Sequence, residues 1–132
     1  KNNSCKSPRI NYNLKYYTKL KKGSLRNTYD AVVSFEFIEH IPPKLAQSVF
    51  DLAAKKSKVF ICSSPNERVR PHRLPPVNEF HYKHYTPEEF EAMGKQAGFT
   101  DVDFFCQTNG KHYDVRPGLE NGKFMIAVFS RG

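Results

Sequence analysis

The sequence has no CxxC pair, no G-x-G turn, no acidic residue before Asp30, and no apolar run near the roughly 18 residues that a membrane span needs. Each absence excludes something. Cys5, Cys62 and Cys106 stand alone, and isolated cysteines in odd number build neither a disulfide framework nor a zinc site. Cys62 and Cys106 lie inside apolar runs, where a thiol serves as a small buried hydrophobe; a reducing, cytoplasmic setting is the expectation. Without G-x-G, no glycine-rich turn brings backbone amides against a cofactor. No signal-peptide pattern, internal repeat or low-complexity stretch is visible, and the chain opens on Lys1 rather than Met.

What remains is enough for one domain. The 132 residues are 39% hydrophobic and 14% aromatic, a globular composition that excludes wholesale disorder. The formal charge of +8 is unevenly placed. Residues 1–28 hold eight basic side chains and no acid, whereas from Tyr29 onward 13 basic residues face 13 acidic ones. The chain is therefore a neutral core behind a basic segment. Such a segment is either a solvated lead-in or an arm for phosphate or an acidic partner.

Residues 1–13 are polar and read as tail or loop. Leu14–Thr18 is β-prone and predicts a short strand. Ala31–Phe35 is a continuous apolar run, suited to a strand buried in a parallel sheet. Pro42-Pro43 opens a helix whose stripe is Leu45, Val49, Leu52 and Ala53 and whose end carries Lys55-Lys56. Val59–Cys62 predicts a second buried strand, followed by a proline-rich loop from Ser63 to Phe80. Thr86-Pro87-Glu88-Glu89 is a capping box, and Gly98 closes that helix. Strands are predicted over 101–107 and 123–130, with Asn109-Gly110 as a turn between them. Alternating strands and helices give an α/β sheet, ending in an antiparallel pair at one edge.

The stretch richest in chemistry runs from Tyr29 to Ile41. A buried strand empties into Glu36, Glu39 and His40, and ligands of open α/β sheets bind at that end of a strand. At one turn of helix Glu36 can point the same way as Glu39 or His40. These two residues could equally cap the helix near Pro43. The loop adds Arg68, Arg70, Arg73, His72, His81 and His84, either a basic lid or an exposed solvated segment.

This stretch resembles the fourth-strand motif of class I S-adenosylmethionine-dependent methyltransferases: an aspartate, an apolar strand, then Glu-x-x-Glu-His. Val59–Asn66 resembles the family's fifth strand and its Pro-Asn turn. The run from His81 to Phe90, followed by Gln96-Ala97-Gly98-Phe99, resembles the next helix with its Ala-Gly-Phe ending. The resemblance covers roughly residues 14–130 and implies a Rossmann-like methyltransferase sheet, truncated at the N-terminus, with a terminal antiparallel hairpin. Residues 14–132 would then be a partial methyltransferase domain, because the family's first strand, glycine-rich loop and second strand should precede residue 14. A fragment, a subunit completed by a second chain, and a degenerate interaction module each fit that pattern.

The resemblance also implies roles. Ser34, Phe35 and Glu36 would border the methionine end of S-adenosylmethionine. His40, with Glu39, would be the catalytic pair, since an imidazole is suited to proton transfer near neutral pH. Asn66, His81 and Tyr85 would meet the acceptor, expected to be a small molecule methylated on oxygen, with RNA as the alternative. No metal is expected. The exception is a closer resemblance to the small-RNA 3′-terminal 2′-O-methyltransferases, in which Glu36, Glu39, His40 and His81 would hold a divalent cation. The Glu-Trp of that group is replaced here by His84-Tyr85.

Overall fold

A computed structural model describes residues 28–108, 114–120 and 122–132. The predicted strand over 14–18 and the turn at Asn109-Gly110 lie outside these residues. Within them the chain runs β1 (Val32–Phe35), a 3-10 turn (Ile38–His40), α1 (Pro43–Lys56), β2 (Val59–Pro65), α2 (Pro87–Ala97), β3 (Asp101–Gln107), β4 (Val115–Pro117) and β5 (Phe124–Ser130). The sheet order is β1-β2-β5-β3-β4. β1 and β2 are parallel, linked through α1, and β5 runs antiparallel to both β2 and β3.

The local chemistry explains most boundaries. Thr86 accepts from the Glu89 amide while Glu89 reaches back to the Thr86 amide, and Gly98 closes α2 at a positive φ of 117°. Two expectations change. β2 continues through Ser63-Ser64-Pro65, because β5 pairs with all seven of its residues; the loop thus begins at Asn66. The antiparallel pair is present, but β5 is inserted between β2 and β3, and the outer edge belongs to β4.

Both helices pack on one face of the sheet around an aromatic cluster. Phe50 of α1 meets Phe60, Phe90 and Phe129 edge-on at 5.2, 5.5 and 5.5 Å between ring centroids. That offset geometry suits ring quadrupoles and adds to the burial of apolar area. Across the sheet the side chains of Val33 and Phe35 are 55% and 60% exposed, and among the described residues no strand pairs with the outer edge of β1.

Gly94 of α2 makes the packing of Phe129 possible. A Cβ added there would lie 2.3 Å from the Phe129 ring. Helix propensity alone favours alanine by about 1 kcal/mol. Overpacking against a ring that has no room to move outweighs that gain. Gly94→Ala should therefore destabilise the protein by about 1–2 kcal/mol, read as a lowered denaturant midpoint. A raised midpoint would show that the α2–sheet contact is looser than described.

Candidate functional site

β1 ends in a turn that points its polar residues in different directions. Glu36 adopts a left-handed φ of 50°, rare for a residue with a side chain and a form of strain often found at functional sites. Ser63 of β2 holds it there. The Glu36 amide donates to the Ser63 carbonyl at 3.1 Å, and the Ser63 hydroxyl donates to Glu36 Oε2 at 2.8 Å. Burial raises the Glu36 pKa; the Ser63 hydroxyl, then His40 and Arg70, pull it back.

The 3-10 turn then sends Ile38 and Glu39 inward and His40 outward. Glu39 is 1% exposed, and neither carboxylate oxygen has a hydrogen-bond partner among the described residues. Desolvation pushes its pKa up to about 7; its own backbone and Ser64 oppose the shift, and Glu36 adds to it. Neither Glu39 nor His40 caps α1, whose N-cap is Pro42 with no side-chain bond.

Two segments bring the second histidine to this carboxylate. The Tyr82 amide donates to the Glu39 carbonyl at 2.7 Å, joining the chain before α2 to the turn. His81 then stands edge-on to His40, ring centroids 4.5 Å apart. Ligand atoms of Glu39, His40 and His81 all lie within 4.8 Å of one another. Glu36, the fourth residue of the expected set, is instead engaged by Ser63.

Backbone carbonyls, which can only accept, fix which imidazole nitrogens carry protons. His40 Nδ1 lies 3.0 Å from the Phe80 carbonyl, so Nδ1 donates, and in the neutral ring Nε2 keeps the lone pair. That lone pair faces Glu39 Oε2 at 3.6 Å. The Asn78 Oδ1 accepts from the Phe80 amide at 2.9 Å, so its Nδ2 donates to His81 Nε2 at 3.2 Å. His81 Nε2 is therefore an acceptor as well. Desolvation, with His40 and His84 adding to it, lowers the His81 pKa to about 4, and the ring is neutral near pH 7. Two imidazoles and a buried carboxylate thus lie together, donor types that a borderline divalent cation takes.

The other expected residues lie nearby with different surroundings. Ser34 Oγ is buried without a hydrogen-bond partner among the described residues, and Phe35 at the end of β1 is open to solvent. Asn66 is buried and organises the chain after β2: its Oδ1 accepts from the Arg68 amide, and it bridges to Tyr85. Tyr85 packs against Phe90, and burial raises its hydroxyl pKa to about 12. The sequence reading passes over Ser63 and Asn78. Only the paired register of β2 and the turn at Phe80 reveal them.

Neither a protein-family model nor a curated protein matches the chain. Solved structures do. It superposes on the small RNA methyltransferase HEN1 with TM-score 0.58 and 24% identity, over 89% of this chain and 15% of that one. A SAM-dependent methyltransferase (TM1293) from Thermotoga maritima gives 0.61 at 16% identity, over 80% and 57%. The N-terminal domain of EvdMO1, solved with SAH and D-fucose, gives 0.59 at 14% identity, over 91% and 54%. The chain has the class I methyltransferase fold. It spans less than two thirds of the length of each of these proteins.

The protonation of Glu39 has a measurable consequence in metal-free protein. Its folded pKa lies above the ordinary 4.5, so between pH 4.5 and 7 the folded state holds a proton that the unfolded state has lost. Stability from this group is full below pH 4.5 and falls by about 3 kcal/mol as pH rises through 7. His81 works in the opposite direction, losing stability as pH falls from 6.5 toward 4. Subtracting the Glu39→Gln profile from the parent's isolates the carboxyl. Denaturation in chelator from pH 4 to 8 should show the parent losing ground to the variant above pH 5; parallel profiles would contradict the buried, unpaired carboxylate.

Proposed function

We propose that the protein transfers a methyl group from S-adenosylmethionine to a ribose hydroxyl at the 3′ end of RNA, with a divalent cation held by Glu39, His40 and His81. One observation carries this reading: a carboxylate buried without a hydrogen-bond partner among the described residues lies with two imidazoles, one ligand atom of each within 4.8 Å of the others. A bound divalent cation supplies Lewis acidity, and its open positions suit the two neighbouring hydroxyls of a terminal ribose. The likeness to a protein named small RNA methyltransferase supports RNA as the acceptor. So does the basic character of residues 1–28 and of Arg68, Arg70 and Arg73.

The chain's own residues do the rest. Ser34 and Phe35, at the open end of β1, border the methionine end of the cofactor, and Glu36 is held beside them by Ser63. Positioning of acceptor against sulfonium supplies much of the acceleration in such a transfer. The exposed apolar edge of β1 is where strands that complete the cofactor pocket join, from outside the described residues or from a second chain.

A second reading makes His40 a general base on a small-molecule acceptor without metal. Its half-exposed ring and available Nε2 favour it. One lone pair serves only one of these roles, so the readings exclude each other.

Manganese titration separates them. The protein should bind one Mn2+, with Glu39→Gln weakening it at least 100-fold and RNA with a 3′-terminal cis-diol methylated only when Mn2+ is present. Full activity in chelator would leave the base reading standing. S-adenosylhomocysteine should bind the 132-residue chain only weakly, since it has no G-x-G turn; tight binding would contradict the proposal that further strands complete the pocket.

A further inference from the structure

Behind His81 lies a second imidazole that the reading above does not use. His84 is 4% exposed and sits between two fixed partners. Its Nδ1 is 2.7 Å from the Arg70 carbonyl, and its Nε2 is 2.7 Å from His81 Nδ1. The carbonyl can only accept, so His84 Nδ1 carries the proton and His84 Nε2 is left as an acceptor. His81 must then donate from Nδ1. Its Nε2, the atom turned to the Asn78 amide, is left with the lone pair.

We infer that His84 is a positioning residue: it relays the Arg70 carbonyl to His81 and locks His81 in the tautomer whose Nε2 lone pair, engaged by the Asn78 amide in the metal-free protein, a cation would take over. This deepens the metal reading and rests on it for its consequence, but the tautomer itself is a property of the metal-free protein. The geometry is that of an outer-sphere partner, which sets ring orientation and proton placement for the ligand it touches. Two features distinguish it from simple packing. The chain Arg70 carbonyl, His84, His81 runs in one direction with both bonds short. Asn78 imposes the same tautomer from the opposite side, through an amide whose orientation the Phe80 N–H fixes.

The relay also ties the site to the loop. Arg70 lies in the turn that Asn66 organises, its amide bonded to the Asn66 carbonyl at 2.7 Å. The end of β2 is therefore linked to His81 through the Asn66–Arg70, Arg70–His84 and His84–His81 hydrogen bonds. A shift of that turn moves the acceptor that sets the His81 proton.

The test uses two variants and one spectroscopic signature. Long-range 15N–1H spectra of imidazoles distinguish the Nδ1–H from the Nε2–H tautomer. In metal-free parent protein at pH 7.5, His81 should be Nδ1–H. His84→Phe keeps the ring volume and removes both bonds, so His81 should shift toward the Nε2–H form and Mn2+ affinity should fall about 10- to 100-fold. His84→Gln keeps one donor and one acceptor at similar spacing and should restore both the tautomer and the affinity to within about 3-fold. An Nε2–H His81 in the parent overturns the inference without any variant. So does His84→Phe with unchanged tautomer and affinity, or His84→Gln that behaves like it. Should His84→Phe fail to fold, the parent spectrum and His84→Gln still decide. Should the parent bind no Mn2+, the metal reading falls while the tautomer measurement judges this one separately.

Discussion

A carboxylate sealed from water without a close hydrogen bond among the described residues is the constraint around which this site is arranged. Removing such a group from water costs several kcal/mol even after relaxation, and a protein offsets that cost by a partner charge, by hydrogen bonds, or by keeping the group neutral. Glu39 has no hydrogen bond among the described residues and sits beside an acid, Glu36, rather than a lysine or arginine. Burial raises its pKa to about 7, so the third solution holds only below that pH. The surrounding atoms are arranged for the first. Both neighbouring histidines are held by backbone or amide groups, His40 through Nδ1 on the Phe80 carbonyl and His81 through Nε2 on the Asn78 amide.

The fold explains how a short chain delivers this. β1 and β2 run parallel, so the end of β1 and the start of the loop after β2 emerge on the same edge of the sheet. The antiparallel β5 locks β2 through Pro65 and so sets where the loop begins. Asn66 and Tyr85 then bridge, returning the chain toward the 3-10 turn, and the capped start of α2 fixes the segment that carries His81 and His84. Stability and site geometry therefore share residues. Ser63 pairs in the sheet and holds Glu36; Asn66 follows the strand and accepts from the Arg70 amide.

Much of this was legible in the sequence. The capping box at Thr86, the Gly98 terminator and the proline-led α1 are local signals, and the structure follows them. β4 was not legible, because Val115–Pro117 is wholly exposed, contains a proline and has no alternation; only pairing with Phe105–Gln107 makes it a strand. At the site, the Glu-x-x-Glu-His spacing correctly marked the end of β1. It could not tell the two glutamates apart, since that depends on a positive φ at Glu36 and on a serine 27 residues away. Which nitrogens of His81 and His84 carry protons was hidden: that is set by the groups that fold against them.

Anomalous diffraction at the manganese edge, from crystals grown with Mn2+, tests the central claim most directly. The account predicts one strong peak bounded by the Glu39 carboxylate and the Nε2 atoms of His40 and His81. A peak elsewhere, or none at that carboxylate with the metal in excess, would contradict it.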